Sequence, residues 1–432
     1  MNHVNSHSSL NSLNEWLFYL ESIHATEIDM GLERISLVAK RLNISLANSK
    51  VITVAGTNGK GTTCAFIENA LLANGHTVAV YSSPHIEIFN ERLRINKALI
   101  DDKSLISAFT LIEQTRGEIS LTYYEYTTLA ALMICQQTSP DVVILEVGLG
   151  GRLDATNFID CDIAVITTID LDHQNFLGND RVSIGLEKAG IVRAGKPVII
   201  GDPNFPEQVL QFCLAAKSKP VQRNVDFFID TFERSKEPQK NQPLEQQVTW
   251  QWRTDNLTLG PLPKTHIPQD NVALGLAVLQ QLNVALTLAN VSDYIAATKV
   301  PGRTEVINEQ PLVVLDVGHN PHAARYLAKF VTQQNKAKIY AVTAMLADKD
   351  INSTLAELIE SVDYWYTGNL DISRAASADL MSKTLKDLGK HCNSFDNIID
   401  AYRMALDNAN NNDMILVFGS FFTVAKIKQS LF

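Results

Sequence analysis

The sequence predicts an α/β protein with two domains: a doubly wound, mostly parallel sheet domain that carries a phosphate-binding P-loop, and a smaller Rossmann-like α/β domain after it. Short apolar, β-branched runs such as 51–55 and 142–147 alternate with longer segments of helical pattern. Strands that are apolar on both faces are typical of a parallel sheet covered by helices. The Pro301-Gly302 pair then breaks the pattern, and the alternation restarts after it.

The elements follow from the same patterns in chain order. Apolar runs predict strands of the first domain at 51–55, 77–81, 142–147, 163–167 and 197–200, with helices at 62–74 and 124–137. The polar stretch 226–259, which alternates at 247–252, predicts a small antiparallel hairpin or an insertion at the domain edge. Later patterns predict a helix at 271–282, strands at 312–316, 338–342 and 414–418, and helices near 323–332 and 351–361. We therefore expect domains at 1–298 and 299–432.

Composition excludes several classes of function. The net charge is −10, and an acidic chain is a poor ligand for the phosphate backbone of nucleic acids. The five cysteines show no C-x-x-C spacing, which favours a reducing compartment over a disulfide framework or a structural zinc site. The sequence has neither a secretory signal pattern nor an apolar run of 18 residues. We expect a cytoplasmic protein without nucleic-acid or membrane partners.

The sharpest local signal is a glycine-rich turn between a predicted strand and a predicted helix. Gly56, Gly59 and Gly61 allow backbone N–H groups to close around phosphate oxygens, and Lys60 supplies a positive charge. A hydroxyl of the following Thr62-Thr63 pair is placed to reach Mg²⁺. The motif departs from the strict Walker A pattern, because Val54 stands where the first glycine belongs and Gly61 separates the lysine from the threonine.

Polar residues also follow two other predicted strands. Glu146 lies at the carboxyl end of a buried strand, and Asp172 and His173 come shortly after the next one. Ligands of open α/β sheets bind at this edge of the sheet, and a carboxylate there suits a Mg²⁺ that bridges nucleotide phosphates. The sequence therefore predicts a nucleotide and magnesium site.

Taken together, seven segments resemble the Mur ligase superfamily and, within it, the bacterial bifunctional folate ligases (dihydrofolate synthase/folylpolyglutamate synthase). The segments stand in the order typical of that family: GTNGKGT at 56–62, FNER at 89–92, GGRLDATN at 150–157, LDH at 171–173, KAG at 188–190, PGR at 301–303 and DVGHNP at 316–321. The resemblance extends from about Trp16 to Ser420.

The resemblance implies a nucleotide site and two Mg²⁺ sites. It assigns ATP contacts to Thr57, Asn58, Gly59, Lys60, Gly61, Thr62, Asn271, Arg303, Asp316 and His319. It assigns metal binding to Ser83, Glu146, His173 and Lys188, and catalysis to Lys60, His173 and Lys188. Lys188 matches a lysine that carries a carbamate in this family. A carbamate makes physical sense, because a bare ammonium would be repelled by two Mg²⁺ ions.

The resemblance also implies a pterin pocket. Its members are Ile28, Met30, Thr122, Tyr124, Asp154 and Ala155. Ile28 and Met30 lie in a stretch, 27–34, typical of the bifunctional enzymes, where they would form an apolar wall. Ordinary helix packing explains these two residues equally well. Asp154 is expected to accept hydrogen bonds from pterin N–H groups, and Ala155 to leave room for the flat ring.

The implied activity is ATP-dependent addition of L-glutamate to dihydropteroate and to reduced folates through an acyl phosphate, by a monomer. Two alternatives remain within the superfamily: polyglutamylation of folates alone, and another amino-acid ligase of the Mur type. Cell-wall ligases usually carry a separate N-terminal domain, and only 50 residues precede the first strand here. A nucleotide switch is a third possibility, but the N-K-x-D motif of GTPases is absent from the sequence.

Overall fold

The computed structural model describes residues 10–26, 28–233 and 248–431. They form two compact units. The first unit comprises the chain up to Ser83 together with Phe89–Leu171 and Leu177–Thr298, and the second comprises Pro84–Ile88, Asp172–Phe176 and the chain from Lys299. Two short segments from the first 298 residues therefore belong to the second unit, and they follow directly after Ser83 and Leu171.

The first unit is built on an eight-stranded sheet of order β4-β3-β2-β5-β1-β6-β7-β8. The strands are β1 (Lys50–Ala55), β2 (Val78–Tyr81), β3 (Leu93–Ile95), β4 (Ala98–Leu99), β5 (Val142–Glu146), β6 (Ile163–Ile166), β7 (Pro197–Ile200) and β8 (Lys219–Gln222). Strand β3 pairs in antiparallel fashion with both β2 and β4, and all the other neighbouring strands pair in parallel. The central strands are buried along almost their whole length, because helices cover both faces.

The helices of this part of the chain are α1 (Leu13–Ser22), α2 (Glu33–Arg41), α3 (Lys60–Ala73), α4 (Asp102–Arg116), α5 (Tyr123–Thr138), α6 (Gln174–Leu177), α7 (Arg181–Ala189), α8 (Glu207–Ala215), α9 (Gln269–Gln281) and α10 (Leu288–Ala297). Local chemistry fixes where α5 begins. The Thr122 hydroxyl accepts the Glu125 N–H, and the Glu125 carboxylate accepts the Thr122 N–H, which is a capping box.

The polar insertion is a three-stranded antiparallel sheet, with strands β9 (Phe228–Glu233), β10 (Val248–Arg253) and β11 (Thr258–Leu262) in the order β11-β10-β9. The sequence predicted a hairpin or an insertion here, and part of that stretch, 234–247, lies outside the described residues. Alternation along β10 buries Trp250 and Trp252, so this small sheet has an apolar face of its own.

The second unit has a six-stranded sheet of order β12-β13-β17-β14-β15-β16, in which only β12 is antiparallel. Its elements are β12 (Glu305–Glu309), β13 (Leu312–Asp316), α11 (Pro321–Gln333), β14 (Ile339–Thr343), α12 (Ile351–Ala356), β15 (Tyr364–Gly368), α13 (Ala378–Asp387), β16 (Cys392–Phe395), α14 (Ile398–Asn408), β17 (Met414–Phe418) and α15 (Phe421–Gln429).

The two mostly parallel sheets confirm the predicted fold class. Sequence patterns missed β3, β4 and β8 of the first sheet and β12, β15 and β16 of the second. The two edge strands, β12 and β16, are largely exposed and lack the apolar run by which central strands are recognised. Within the described ranges, no helix is long and apolar enough to cross a membrane.

Candidate active site

The phosphate loop lies between β1, which ends at Ala55, and α3, which begins at Lys60. Register brings the carboxyl ends of three neighbouring strands together, since Val54 pairs with Glu146 and Ala55 pairs with Ile166. The loop therefore occupies the centre of the sheet edge where ligands of this architecture bind.

Two glycines of this loop permit close approaches that a side chain would block. Gly59 has φ +86°, and a Cβ built there would lie 2.6 Å from Oδ1 of Asn271. A Cβ on Gly56 would overlap the Thr167 hydroxyl. The loop can take its shape only with glycine at these positions.

Side chains of the loop stabilise its closed form. The Lys60 ammonium donates to the Gly56 carbonyl at 3.0 Å, and the Thr62 hydroxyl donates to the Gly59 carbonyl at 3.0 Å. Asn271 Nδ2 donates to Thr62 Oγ1 at 2.7 Å, so the start of α9 is tied to the start of α3. Further along the loop, the Thr57 hydroxyl donates to the Asp170 carbonyl and the Asn58 N–H donates to the Thr168 hydroxyl.

Glu146 places a carboxylate beside this loop. It is the last residue of β5 and is only 6% exposed. A Cβ on Gly61 would lie 3.5 Å from Glu146 Oε2, so the carboxylate lies next to the first turn of α3. Burial raises the pKa of the nearby Cys64 thiol well above its usual value, and the Glu146 charge raises it further, which excludes Cys64 as a thiolate nucleophile.

Ser83 and Tyr124 lie at the same edge of the sheet. The Tyr124 hydroxyl donates to the Glu146 carbonyl at 3.5 Å and also hydrogen-bonds Ser83. Burial raises the pKa of Tyr124 well above its ordinary value, so the phenol is neutral. The structure thus brings a predicted metal residue and a predicted pocket residue into direct contact within the first unit.

Lys188 is a buried lysine, 3% exposed, in the last turn of α7. The glycine pair of the 150–157 segment packs closely against this turn, because a Cβ on Gly151 would lie 2.8 Å from the Glu187 carbonyl oxygen and 2.9 Å from that of Lys188. Lysine is almost never so buried unless its charge is balanced.

Asp172 is the centre of a polar cluster in the second unit. Its Oδ1 lies 2.8 Å from Lys349 Nζ, and its Oδ2 accepts from Asn320 Nδ2 at 3.2 Å and lies 3.7 Å from His319 Nε2. His173, with φ +50°, directs Nε2 to within 3.3 Å of the same Lys349 ammonium. Burial alone would raise the pKa of Asp172, but the His319 hydrogen bond and the Lys349 charge outweigh it. The net pKa lies well below the usual value, so the carboxylate stays ionised.

Lys349 was missed by sequence reasoning. Its side chain is only 7% exposed, and its ammonium contacts the predicted metal residue His173. One signal was available, because Asp348-Lys349-Asp350 comes shortly after β14 at the carboxyl edge of the second sheet.

The other predicted residues of the second unit also lie close together. Asp316, 6% exposed at the end of β13, accepts the Thr304 N–H at 2.8 Å and the Gly318 N–H at 2.7 Å. Burial raises the pKa of Asp316, and the Arg303 charge opposes that rise. The Arg303 guanidinium lies 4.9 Å from the centre of the Phe421 ring, and the His319 ring lies 6.4 Å from it.

The predicted pocket residues lie in three parts of the first unit: the 28–31 segment, the start of α5 and the 148–156 loop. Thr122 uses its hydroxyl to cap α5, and the Tyr124 ring stacks on Tyr81 with centroids 6.1 Å apart. Tyr124 also limits the space at Gly148, where a Cβ would lie 2.8 Å from its Cζ. These contacts make Tyr124 a rigid apolar wall with a polar tip.

The Asp154 carboxylate accepts four hydrogen bonds from its own loop, which its position in the sequence did not indicate. Oδ2 accepts the N–H groups of Gly148 and Leu149 at 3.0 and 2.9 Å, and Oδ1 accepts the N–H and hydroxyl of Thr156 at 3.0 and 2.6 Å. Burial raises the pKa of Asp154, against these four hydrogen bonds, which lower it. Each carboxylate oxygen already has two donors, so the carboxylate anchors the 148–156 loop.

Ile28 and Met30 lie outside any helix, since residues 28–31 form neither helix nor strand and α2 begins only at Glu33. Met30 is partly buried against the core of the first unit, so packing against the helices stays an alternative to a pocket role. Met30 Cε would lie 3.5 Å from a Cβ on Gly150, so this segment reaches the loop that Asp154 anchors and that continues into the buried Ala155.

The donors predicted for metal binding are a hydroxyl, a carboxylate, an imidazole and a lysine. In the described part of the chain, no three His, Cys, Asp or Glu side chains form a ready metal cluster. The donor set fits Mg²⁺ if Lys188 is carbamylated, because the lysine then supplies the oxygen atoms that Mg²⁺ prefers. The buried carboxylate of Glu146 beside the α3 terminus is the structural observation that agrees with this fit.

Comparisons with known proteins agree with this geometry. Residues 54–200 match the Mur ligase middle domain, and residues 302–421 match the glutamate ligase domain of Mur ligases. A curated dihydrofolate synthase/folylpolyglutamate synthase from Escherichia coli is 43% identical over 418 residues, which cover 96% of this chain and 95% of that protein. The chain belongs to this family of Mur ligases.

Solved structures of the family extend the similarity to the whole fold. The E. coli enzyme in complex with DHPP and ADP superposes with a TM-score of 0.90 at 43% identity, covering 98% of both chains. The Yersinia pestis bifunctional enzyme complexed with AMPPNP and Mn gives a TM-score of 0.89 at 43% identity with the same coverage. Each of these two proteins thus binds an adenine nucleotide, and the Y. pestis enzyme binds a manganese ion as well.

Proposed function

We propose that this protein is an ATP-dependent ligase that adds L-glutamate to dihydropteroate and to reduced folates. One observation carries the proposal: a preformed phosphate loop lies beside the buried Glu146 carboxylate, in a chain related along nearly its full length to bifunctional folate ligases. Dihydropteroate and folates share a pterin ring and differ in the carboxylate that is extended, so one site can serve both.

The chemistry proceeds in two displacements. A carboxylate oxygen of the substrate attacks the γ-phosphorus of ATP, the bond to the β–γ bridging oxygen breaks, and ADP leaves. The glutamate amine then attacks the carbonyl carbon of the acyl phosphate, and phosphate leaves with the former carboxylate oxygen. The amine loses a proton as the amide forms.

The chain's own groups favour the first displacement. Lys60 and the N–H groups of the 56–62 loop present positive charge where the transferring phosphoryl group gains negative charge. The lysine can exchange its Gly56 contact for a phosphate oxygen, because the Thr62 and Asn271 hydrogen bonds hold the loop independently of that contact. A phosphate at the start of α3 also gains from the helix dipole.

Two divalent metals, when bound, would neutralise phosphate charge and polarise the γ-phosphoryl group. We assign their protein ligands to Ser83, Glu146, His173 and Lys188, with Lys188 as a carbamate. The carbamate forms when the ammonium loses a proton and the resulting neutral amine attacks CO₂ and loses a second proton, so the charge of the side chain changes from +1 to −1. The near-complete burial of Lys188 supports this, since a carbamate can be balanced by the metal.

Substrate contacts follow from the same geometry. We assign the pterin pocket to Ile28, Met30, Thr122, Tyr124 and Ala155, with Asp154 shaping it through the loop it anchors. We assign nucleotide contacts to the predicted residues, which are Thr57, Asn58, Gly59, Lys60, Gly61, Thr62, Asn271, Arg303, Asp316 and His319.

We further propose that the protein works as a cytoplasmic monomer with functional domains at 1–298 and 299–432. All five cysteines are free thiols, and four of them are buried, which agrees with a reducing compartment. The second compact unit takes up the chain from Lys299 onward, which agrees with the domain division.

Phosphate release by the purified protein tests the proposed function. With ATP, Mg²⁺ and glutamate, both dihydropteroate and tetrahydrofolate should stimulate release and yield the glutamylated product by mass spectrometry. Lys60→Met is the control, since it should abolish both activities. Stimulation by tetrahydrofolate alone would leave folylpolyglutamate synthesis as the function, and stimulation by neither would overturn the proposal.

A further inference from the structure

Arg34, in the first turn of α2, holds the segment that carries Ile28 and Met30. Its Nη1 lies 2.8 Å from Asp29 Oδ2, and its Nη2 donates to the Asp29 carbonyl at 2.7 Å. Asp29 stands between the two apolar residues. Because residues 28–31 have no helix or strand to define their path, these contacts fix where the apolar side chains lie.

The opposite side of the same guanidinium faces Glu125. Arg34 Nη2 lies 3.3 Å from Glu125 Oε1, and Nε lies 3.4 Å from Oε2. Glu125 is 3% exposed, and its Oε2 also accepts the Thr122 N–H at 2.8 Å. One arginine thus connects the 28–31 segment to the turn that presents Thr122 and Tyr124.

The bridge has an inner half, the contact of Arg34 with the buried Glu125, and an outer half, its contact with Asp29. Burial stabilises the inner half. A nearly inaccessible carboxylate without a cation would be costly, so Glu125 retains Arg34. The outer half is reinforced by His24, whose Nε2 lies 3.2 Å from Asp29 Oδ2 and whose Nδ1 lies 2.6 Å from Ser120 Oγ. The planar fork of arginine reaches both carboxylates at once, which a lysine cannot do.

We propose that Arg34 is a positioning residue for the pterin end of the substrate. It fixes the 28–31 segment relative to the first turn of α5, so that the apolar wall is formed before substrate arrives. The inference rests on the proposed function, because it takes these two segments as the pterin pocket. It concerns neither ATP nor metal, since the contacts of Lys60, Thr62 and Asn271 involve none of these residues.

Three variants test the inference. Arg34→Met removes the bridge, Arg34→Lys keeps the charge without the fork, and Asp29→Asn weakens only the outer half while Glu125 keeps its partner. Asp29 is 41% exposed in its side chain, so its substitution should not impair folding. Arg41→Met is the matched control: Arg41 lies on the same helix and donates to the carbonyls of Thr115 and Arg116.

We expect KM for dihydropteroate to rise about tenfold in Arg34→Met, with a smaller rise in Asp29→Asn and partial recovery in Arg34→Lys. KM for ATP should stay within about twofold. Hydrogen exchange of the amides at 28–33 should accelerate in the same order, while exchange in α3 stays unchanged. Arg41→Met should alter neither KM nor exchange at 28–33.

Exchange and kinetics separate this inference from the proposed function. Unchanged exchange at 28–33 in Arg34→Met would overturn the positioning role, whatever the wild type catalyses. Faster exchange with an unchanged KM for every pterin substrate would show that the segment is not part of the pocket. A wild type that uses no pterin substrate would refute the proposed function, and the exchange result alone would then decide whether Arg34 holds the segment.

Discussion

Asp154→Asn separates two roles for this carboxylate, anchoring of the 148–156 loop and direct contact with the pterin. The substitution keeps the size of the side chain and replaces one acceptor oxygen with a donor NH₂ group. Both oxygens face N–H donors: those of Gly148 and Leu149 on one side and that of Thr156 on the other. Every orientation of the amide therefore sets a donor against a donor.

The orientation of lower free energy directs the NH₂ group toward Thr156. There the Thr156 hydroxyl can rotate to accept, so only the Thr156 N–H loses its acceptor. The other orientation leaves the N–H groups of both Gly148 and Leu149 without an acceptor. Thr156 is fully buried, and a buried donor without an acceptor costs about 1–3 kcal/mol. The loop should therefore open more often by a factor of roughly 5 to 150.

Native-state hydrogen exchange at 148–157 and calorimetric titration with dihydropteroate measure both roles. We expect faster exchange in the loop, weaker dihydropteroate binding, and ATP affinity within about twofold of the wild type. Asp160→Asn is the control, because Asp160 is exposed and pairs with Arg193 at the surface. Weaker dihydropteroate binding with exchange at the wild-type rate would refute the anchoring role and assign Asp154 to direct pterin contact.

Three further predictions concern other parts of the molecule. Lys188→Ala should lose activity and regain part of it with short-chain carboxylates; an unmodified Lys188 amine beside two bound metals in a high-resolution density map would contradict the carbamate. Glu146→Gln and His173→Ala should each lower turnover on the order of 100-fold or more with little change in thermal stability, and near-normal turnover at saturating Mg²⁺ would exclude that residue as a ligand. Burial raises the pKa of Glu113, but hydrogen bonds from Arg116, Tyr126 and Tyr19 lower it further, below its usual value of 4.5. The ionised Glu113 should therefore stabilise the fold fully above about pH 4.5, and this stabilisation should be lost as the pH falls through its lower pKa in the folded state. The melting temperature of Glu113→Gln should consequently fall less steeply with pH below 4.5 than that of the wild type. Equal dependence of the two melting temperatures on pH would contradict this.

Local chemistry explains which parts of the site could be predicted. The path from β1 through the glycine turn to α3 is written in adjacent residues, and Glu146 ends an apolar run that sheet rules place at the ligand-binding edge. Those features need no knowledge of distant contacts, which is why the fold class and the phosphate loop followed from the sequence.

The rest depends on partners that are far apart in the chain. Lys349 meets Asp172 across 177 residues and Arg34 meets Glu125 across 91 residues, and a single charged residue gives no periodic signal. The four donors of Asp154 also depend on how its loop folds back, so the motif gave no sign that this carboxylate anchors the loop. The assignment of 84–88 and 172–176 to the second unit is likewise invisible in local patterns.

Isotope transfer tests the central claim most directly. Dihydropteroate labelled with oxygen-18 in its carboxylate is incubated with the protein, ATP, Mg²⁺ and glutamate, and the products are analysed by mass spectrometry. An acyl phosphate intermediate predicts one labelled oxygen in each phosphate released, together with dihydrofolate that retains the other labelled oxygen in its new amide. Unlabelled phosphate formed alongside dihydrofolate would contradict the mechanism, and phosphate formed without dihydrofolate would contradict the ligase itself.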